Sequence, residues 1–522
     1  MISKDEIIKE ATMLASADPI KKDSAFVLNL LLNQIKPIDF KRYAFDDVDK
    51  LQERKHQLTK ATTAPDGSVK DDKKAELEEL SKISKELESK KLYQRHYKII
   101  FTQMVLEIAK EKGWPLCYKY GAYYVFNGIN WIKIEEPEFK LFLAKGAEKA
   151  GVPKFDARDI DFANKLFEQF EFIGAKRGVI KEINDTGKVL INFLNGTLEI
   201  TPVGKIFREH RADDFLTYVL PYEYDPEATA PLFDRTLNEI LPEADKRFVL
   251  SEFAGYVFTT HLKLEKALFL LGSGANGKSW LMDVLTAVFG SEIVSNFGLN
   301  NLTSENGYYR AKLVDKRVNW ASDTGERLQS NTFKQLASGE PIEARLPYKE
   351  PFMLRNVCKF IFNTNQLPSD VEHTNGFFRR FLIIPFEVTI PEEKQDKQLA
   401  QKVISRELPG VLNWVLDGLD RLLKQKGFSE CEASKQILAQ YKKESDSVAM
   451  FTDEMNYKAT PEQWTQAKPI YSDYREYCYA EGLKPLARKN FHKRLEALGF
   501  FTATKNVGKV VYMRKHQSNG TY

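Results

Sequence analysis

The sequence holds four cysteines, Cys117, Cys358, Cys431 and Cys478, and no two of them form a CxxC pair. That spacing excludes a zinc ribbon or knuckle and a disulfide framework, and it suits a reducing compartment. Long apolar runs are missing too. No stretch approaches the ~20 apolar residues of a membrane span, and the longest runs, Ala267–Leu271 and 381–386, have the length of buried strands. The opening MISKDEIIKEATML carries acids and lacks the apolar centre of a signal peptide. These absences predict a cytoplasmic protein with no membrane partner. Net charge is nearly absent as well, with 77 Lys+Arg against 73 Asp+Glu in 522 residues. A nucleic-acid surface must therefore be local. What the chain does have is 43% hydrophobic residues, which excludes global disorder, and a length that suggests about three domains.

Residues 1–112 read as a helical region, with 25–32 as an apolar segment. The charged stretch 46–112 is broken once by the turn signal Pro65-Asp66-Gly67. Leu77, Leu80, Ile83 and Leu87 share one helical face, as in an antiparallel helical hairpin, and are too few for a coiled coil. After Gly113-Trp114-Pro115 the texture becomes α+β over 113–230. Two apolar runs flank Asn127-Gly128, and two more flank Asn195-Gly196, each a β-hairpin signature. Pro221, Pro226 and Pro231 mark a boundary, beyond which 233–260 is again helical text.

The legible chemistry follows. The strand run Leu268-Phe269-Leu270-Leu271 leads into Gly272-Ser273-Gly274-Ala275-Asn276-Gly277-Lys278-Ser279 and then an apolar-periodic helix. This is GxxxxGK[ST] in its strand–loop–helix context. Glycines let successive N–H groups turn toward phosphates, and the following helix adds its positive end. Lys278 would reach the β/γ-phosphates of ATP and the Ser279 hydroxyl would ligate Mg²⁺. A second strand, 318–322, ends at Asp323, our candidate metal carboxylate, with Glu326 a candidate for polarising water or else a surface acid. A third, 358–364, ends at Asn365, placed to orient water or the γ-phosphate, or simply to form a turn. Arg379 and Arg380 precede the strand 381–384, and one guanidinium would stabilise transition-state charge, often in a neighbouring subunit.

The order and compactness of these motifs resemble superfamily 3 helicases, a branch of the AAA+ ATPases. Within that branch they are similar to the helicase part of phage, plasmid and poxvirus primase–helicases. Residues 272–279 match the Walker A motif, 318–323 the Walker B strand, and 360–365 the sensor strand ending Thr-Asn. Arg379 and Arg380 match the Arg-Arg pair before a strand ending Pro385-Phe386. The segment 334–352 looks like the family's central-channel β-hairpin, where Lys349 and Arg345 would grip a phosphate backbone. One departure stands out: Asp323 is followed by Thr324-Gly325-Glu326 rather than by a second acid, which leaves the water-activating carboxylate open.

The resemblance implies an α/β fold: an AAA+ P-loop core with a parallel sheet over 231–400, a helical connector over 401–450, and a basic winged-helix-like domain over 451–522. From Lys484 to Lys515 there are nine basic residues and one acid, Glu496. Arg488, Lys489, Lys493, Arg494 and Lys509 are the candidate contacts to a duplex or fork. Tyr471, Tyr474, Tyr477 and Phe491 read as that domain's core. No primase motif is present. The expectation is a ring-forming homo-oligomer, a hexamer, moving 3′→5′ on single-stranded DNA in a bacterial host, with priming or polymerisation supplied by a separate protein. The alternative is an ATP-switched DNA-binding initiator that does not unwind.

Overall fold

The computed structural model describes residues 23–63, 73–119, 121–174, 187–322, 328–355, 358–368 and 372–515. The described residues gather into two compact units. One holds those of 1–182, 190–199 and 205–223; the other holds those of 183–189, 200–204 and 224–522. Among the described residues no helix is long and apolar enough to cross a membrane.

In the first unit, helices Ser24–Gln34, Gln94–Glu111, Glu136–Ala150 and Ile160–Gly174 pack with the sheet β1 (Leu116–Lys119), β2 (Ala122–Phe126), β3 (Trp131–Ile134). Asp23 caps the first helix by accepting from the Phe26 N–H at 2.8 Å. Gly146 permits a close helix crossing, because a Cβ there would lie 2.8 Å from Phe101 and 2.9 Å from Ile35. Helices Val48–Thr62 and Lys74–Ser89 form the charged pair, joined on its exposed side by Arg54 and Glu79 at 2.8 Å and 2.9 Å. Such exposed pairs add little stability. The β2–β3 hairpin is antiparallel. Its turn is built by Asn127, whose Oδ1 accepts from the N–H groups of Ile129 and Asn130 at 2.9 and 2.8 Å. A second three-stranded sheet, β4 (Val189–Phe193), β5 (Gly196–Thr201) and β6 (Gly204–Arg208), places Asn195-Gly196 at its first turn.

The second unit is organised around strands β7 (Ala267–Leu271), β8 (Val294–Ser295), β9 (Val318–Ala321), β12 (Lys359–Thr364) and β13 (Phe381–Pro385); a small hairpin, β10 (Ile342–Ala344) with β11 (Phe352–Leu354), stands apart from them. The five strands run parallel in the order β13-β7-β12-β9-β8. Parallel sheets are covered on both faces, so their strands are continuous apolar runs; Ala267, Leu268, Phe269 and Leu270 are fully buried. Phe333, Phe377 and Tyr441, from helices Ser330–Ser338, Asn375–Phe378 and Glu432–Glu444, join the core built on this sheet. The long helix Leu399–Gln425 packs on helices Ala244–Tyr256 and Lys278–Phe289. Two glycines make its crossing of Ala244–Tyr256 possible: a Cβ at Gly418 would lie 2.2 Å from the Ser251 carbonyl carbon, and one at Gly255 would lie 2.6 Å from Leu419.

After helix Ser447–Glu454 the remaining elements are β14 (Tyr457–Ala459), β15 (Thr465–Gln466), helices Ala467–Ala480 and Arg488–Ala497, β16 (Thr502–Lys505), β17 (Gly508–Val511) and β18 (Met513–Lys515). Strands β15, β17 and β16 form one sheet and β14 pairs with β18. Tyr474, Tyr477 and Phe491 are buried between the helices, with Tyr471 packed against them.

Candidate nucleotide site and nucleic-acid interface

Strand β7 delivers the chain to the C-terminal edge of the parallel sheet, where the Gly272 N–H donates to Thr364 O at 3.1 Å. The backbone then turns through positive φ at Gly274 (118°), Ala275 (47°) and Gly277 (83°) before helix Lys278–Phe289 begins. Gly272 has no room for a side chain: its Cβ would fall 2.1 Å from Asn276 Nδ2 and 2.6 Å from Phe386 O. Glycine is thus required by space at Gly272 and by backbone conformation at Gly274 and Gly277.

The Lys278 ammonium folds back into this turn, 7% exposed, and donates to Gly272 O at 2.8 Å and Asn276 Oδ1 at 3.0 Å. Burial lowers its pKa. Both partners are neutral, and no carboxylate pairs with it among the described residues. The site therefore favours an anion, which the helix N-terminus would also favour. Asn276 Nδ2 reaches Phe386 O at 3.3 Å, and the Ile390 N–H donates to Ala275 O at 2.7 Å, so the segment after β13 is strapped across the loop. The loop opens on a cleft of about 1240 Å³ whose lining includes Ser279, Ser322, Asn365, Thr236 and Ile240.

Asp323 and Glu326 lie outside the described residues. Strand β9 leads toward them, and Ser322 lines the cleft with its hydroxyl 3.6 Å from Met282 Sδ. Asn365 sits one residue past β12, exposed in the cleft. Its neighbour Asn363 points inward instead and accepts from Trp320 Nε1 at 2.9 Å, tying β12 to β9.

The two arginines part company. Arg379 is 61% exposed at its side chain and pairs with Glu265. Arg380 is 7% exposed and donates to Ser338 Oγ at 2.7 and 3.1 Å, to Lys334 O at 3.1 Å, and to Gly376 O. Both arginines meet the Glu265 carboxylate, Arg380 at 3.5 Å, but Arg380 is engaged mainly by helix Ser330–Ser338 and the Gly376 carbonyl, which leaves Arg379 the more accessible of the two candidate fingers. The β10–β11 hairpin is antiparallel. Lys349 is exposed in the loop joining its two strands, beside the fully exposed Tyr348, while Arg345 leans on Tyr308 with Nη2 3.2 Å from its hydroxyl.

In the C-terminal region Arg488, Lys489, Lys493 and Lys509 are exposed. Arg494 differs from these four in pairing with a buried carboxylate. Its guanidinium bonds the Asp446 carboxylate at 2.7 and 2.5 Å, and Asp446 is 2% exposed and caps helix Ser447–Glu454. A buried carboxylate left unpaired is costly, so this arginine is held as its counter-charge. Sequence reasoning missed the cleft's other wall, Thr236 and Ile240 of helix Pro231–Ile240 and the segment 388–391. Neither carries a motif; only the Pro385-Phe386 ending hinted that the second lay near the loop.

A family model described as "D5 N terminal like" matches residues 90–242, and one described as "Family of unknown function (DUF5906)" matches 270–380. The mimivirus protein "Putative helicase L207/L206", from Acanthamoeba polyphaga mimivirus, is 26% identical over 311 residues, covering 51% of this chain and 32% of its own. African swine fever virus "Putative primase C962R" is 30% identical over 148 residues, 27% of this chain and 15% of its own. "Putative helicase 121R" of Invertebrate iridescent virus 3 is 22% identical over 355 residues, 58% of this chain and 37% of its own. The matches thus span well under half the length of these relatives. Together they make the chain similar, over part of its length, to viral proteins named as helicases and primases, with a D5 N-terminal-like match ahead of the phosphate-loop region.

Proposed function

We propose that this chain is an ATP-hydrolysing DNA helicase of a viral or phage replication apparatus. The observation that carries the reading is the phosphate loop itself, with Lys278 buried among neutral acceptors at the mouth of a nucleotide-sized cleft. The strand order supports an AAA+ core of the superfamily 3 type: β12, which leads to Asn365, lies between the strand before the phosphate loop and the strand before Asp323. ATP would place its phosphates on 272–279. Ser279, exposed in the cleft, and Asp323 would hold Mg²⁺, which neutralises charge on the phosphates. Glu326 or Asn365 would orient the attacking water.

Arg379 does not line its own chain's cleft and keeps an exposed guanidinium. That is the placement expected of a residue completing a neighbouring subunit's site, as in a hexameric ring. Lys349, exposed in the loop of the β10–β11 hairpin, would grip one strand in the ring's channel, moving 3′→5′. The three C-terminal helices with the β15-β17-β16 sheet have the makeup of a winged helix, and Arg488, Lys489 and Lys493 on helix Arg488–Ala497 would meet the duplex at a fork.

A forked-duplex unwinding assay with ATP, run beside Lys278→Ala and with oligomeric mass measured on the same samples, tests the reading. Unwinding by the wild type alone, in a ring-sized assembly, is the expected result. Hydrolysis with DNA binding and no unwinding would move the assignment to an ATP-switched initiator. Lys349→Ala should lose stimulation of hydrolysis by single-stranded DNA; unchanged stimulation and unwinding would sink the hairpin assignment.

A further inference from the structure

The C-terminal region has two sets of aromatic side chains, and the fold uses only one. Tyr474, Tyr477 and Phe491 fill its core, whereas Phe501 is 67% exposed and Trp464 is 40% exposed. Register brings the second set together. Thr465 and Thr502 both face Val511, so the adjacent positions Trp464, Tyr512 and Phe501 continue one cross-strand row at the end of the β15-β17-β16 sheet. The Tyr512 N–H donates to Phe501 O at 2.8 Å, and the two rings lie 5.4 Å apart. Neighbouring strands are ~4.8 Å apart, which sets aromatic side chains abreast rather than interleaved. Phe501 and Tyr512 border an open hollow of about 450 Å³ that also touches Thr460 and Pro461.

A cation completes this row. Lys505 Nζ lies 4.7 Å from the Trp464 ring centre and 5.3 Å from that of Tyr512. No carboxylate pairs with it among the described residues. Glu496, the one acid of 484–515, is engaged by Thr502 and lies 3.6 Å from Lys509. Partly exposed rings beside positive charge that no carboxylate among the described residues neutralises suit a ligand with flat π surfaces and a phosphate backbone. A duplex keeps its bases stacked on each other and cannot offer those surfaces; an unpaired strand can.

We propose that Trp464, Tyr512 and Phe501, with Lys505, form a platform for the unpaired nucleobases of a single strand, separate from the basic helix Arg488–Ala497. This goes beyond the helicase reading and does not depend on hydrolysis, because binding is measured without nucleotide. The full chain is titrated with fluorescent oligo(dT), with an abasic strand of equal length, and with a duplex. Trp464→Ala and Phe501→Ala should each weaken oligo(dT) binding roughly tenfold, the loss of about one stacked base. Binding of the abasic strand and the duplex should stay within about twofold, since phosphate contacts remain. Trp464→Leu and Phe501→Leu keep apolar cover but lose the aromatic face, so they decide the matter if the alanine variants melt early. Oligo(rU) is the further arm: equal affinity assigns the platform to unpaired bases on either sugar, and weaker binding assigns it to DNA. An equal loss on abasic and base-bearing strands would overturn the proposal, leaving these residues a charge scaffold. Unchanged binding by the leucine variants would also overturn it, as would a change only in self-association, which would make the row a contact between copies.

Discussion

The two ends of the parallel sheet each bury a lysine, and they do so for different ends. At the C-terminal edge, Lys278 is held by a carbonyl and an amide oxygen beside an open cleft. At the opposite edge, Lys359 begins β12 with its ammonium 4.0 Å from the Tyr256 ring centre and no ion-pair partner among the described residues. Burial depresses both pKa values, that of Lys359 down to about 7. One unneutralised cation faces a space that an anion would fill, whereas the other is boxed in. The comparison teaches that a depressed lysine marks a binding site only when a cavity of ligand size adjoins it.

The largest break in that symmetry should come from Lys278→Ala. Phosphate release should fall to the limit of detection while the melting temperature at pH 7 holds or rises, because a buried charge has been removed. A marked loss of melting temperature would instead give Lys278 a structural role. Next in size are the two arginines, which sharpen the same contrast between a group aimed outward and one sealed in. Arg379→Ala should cut hydrolysis by about a thousandfold, the worth of an arginine finger, with its melting curve unchanged. Arg380→Ala should destabilise the fold by about 3 kcal/mol, since it strands the Ser338 hydroxyl and buried carbonyls without donors. Equal melting curves for the two variants would refute the division.

These pairs also show where the sequence was readable. The phosphate loop was legible because its octet lies between a five-residue apolar run and an apolar-periodic helix, and sterics at Gly272 allow nothing else. The aromatic core of the C-terminal region was legible from helical spacing. What could not be read was the direction of a long side chain. Arg379 and Arg380 are adjacent and alike in sequence, and only the helix Ser330–Ser338 packed beneath them decides which one is spent. Arg494 looked like its exposed neighbours Lys489 and Lys493, because its partner Asp446 lies 48 residues away. The cleft's wall at Thr236 and Ile240 escaped for the same reason: it is assembled from distant segments that carry no motif.

The last contrast, and the one with the sharpest sign, concerns Lys359. Its side chain titrates near 7 in the folded protein against 10.5 when free, chiefly through burial and then through Arg317 and Lys263. Below pH about 7 both folded and unfolded chains carry the proton, and the fold bears the full cost of a buried charge. Between about 7 and 10.5 the unfolded chain keeps a proton that the folded one has released. Stability from this group therefore rises with pH, by at most ~1.4 kcal/mol per unit, and above that window the cost is gone. Lys359→Met preserves the stem's packing on Tyr256 and removes the titration. Its melting temperature should exceed the wild type's at pH 7, and that gap should narrow as pH is raised to 9.5. A gap of constant size would mean that Met simply packs better. A variant less stable at both pH values would mean that the ammonium over the Tyr256 ring contributes more than its burial costs, and the boxed-in lysine would then have to be read as a stabilising contact.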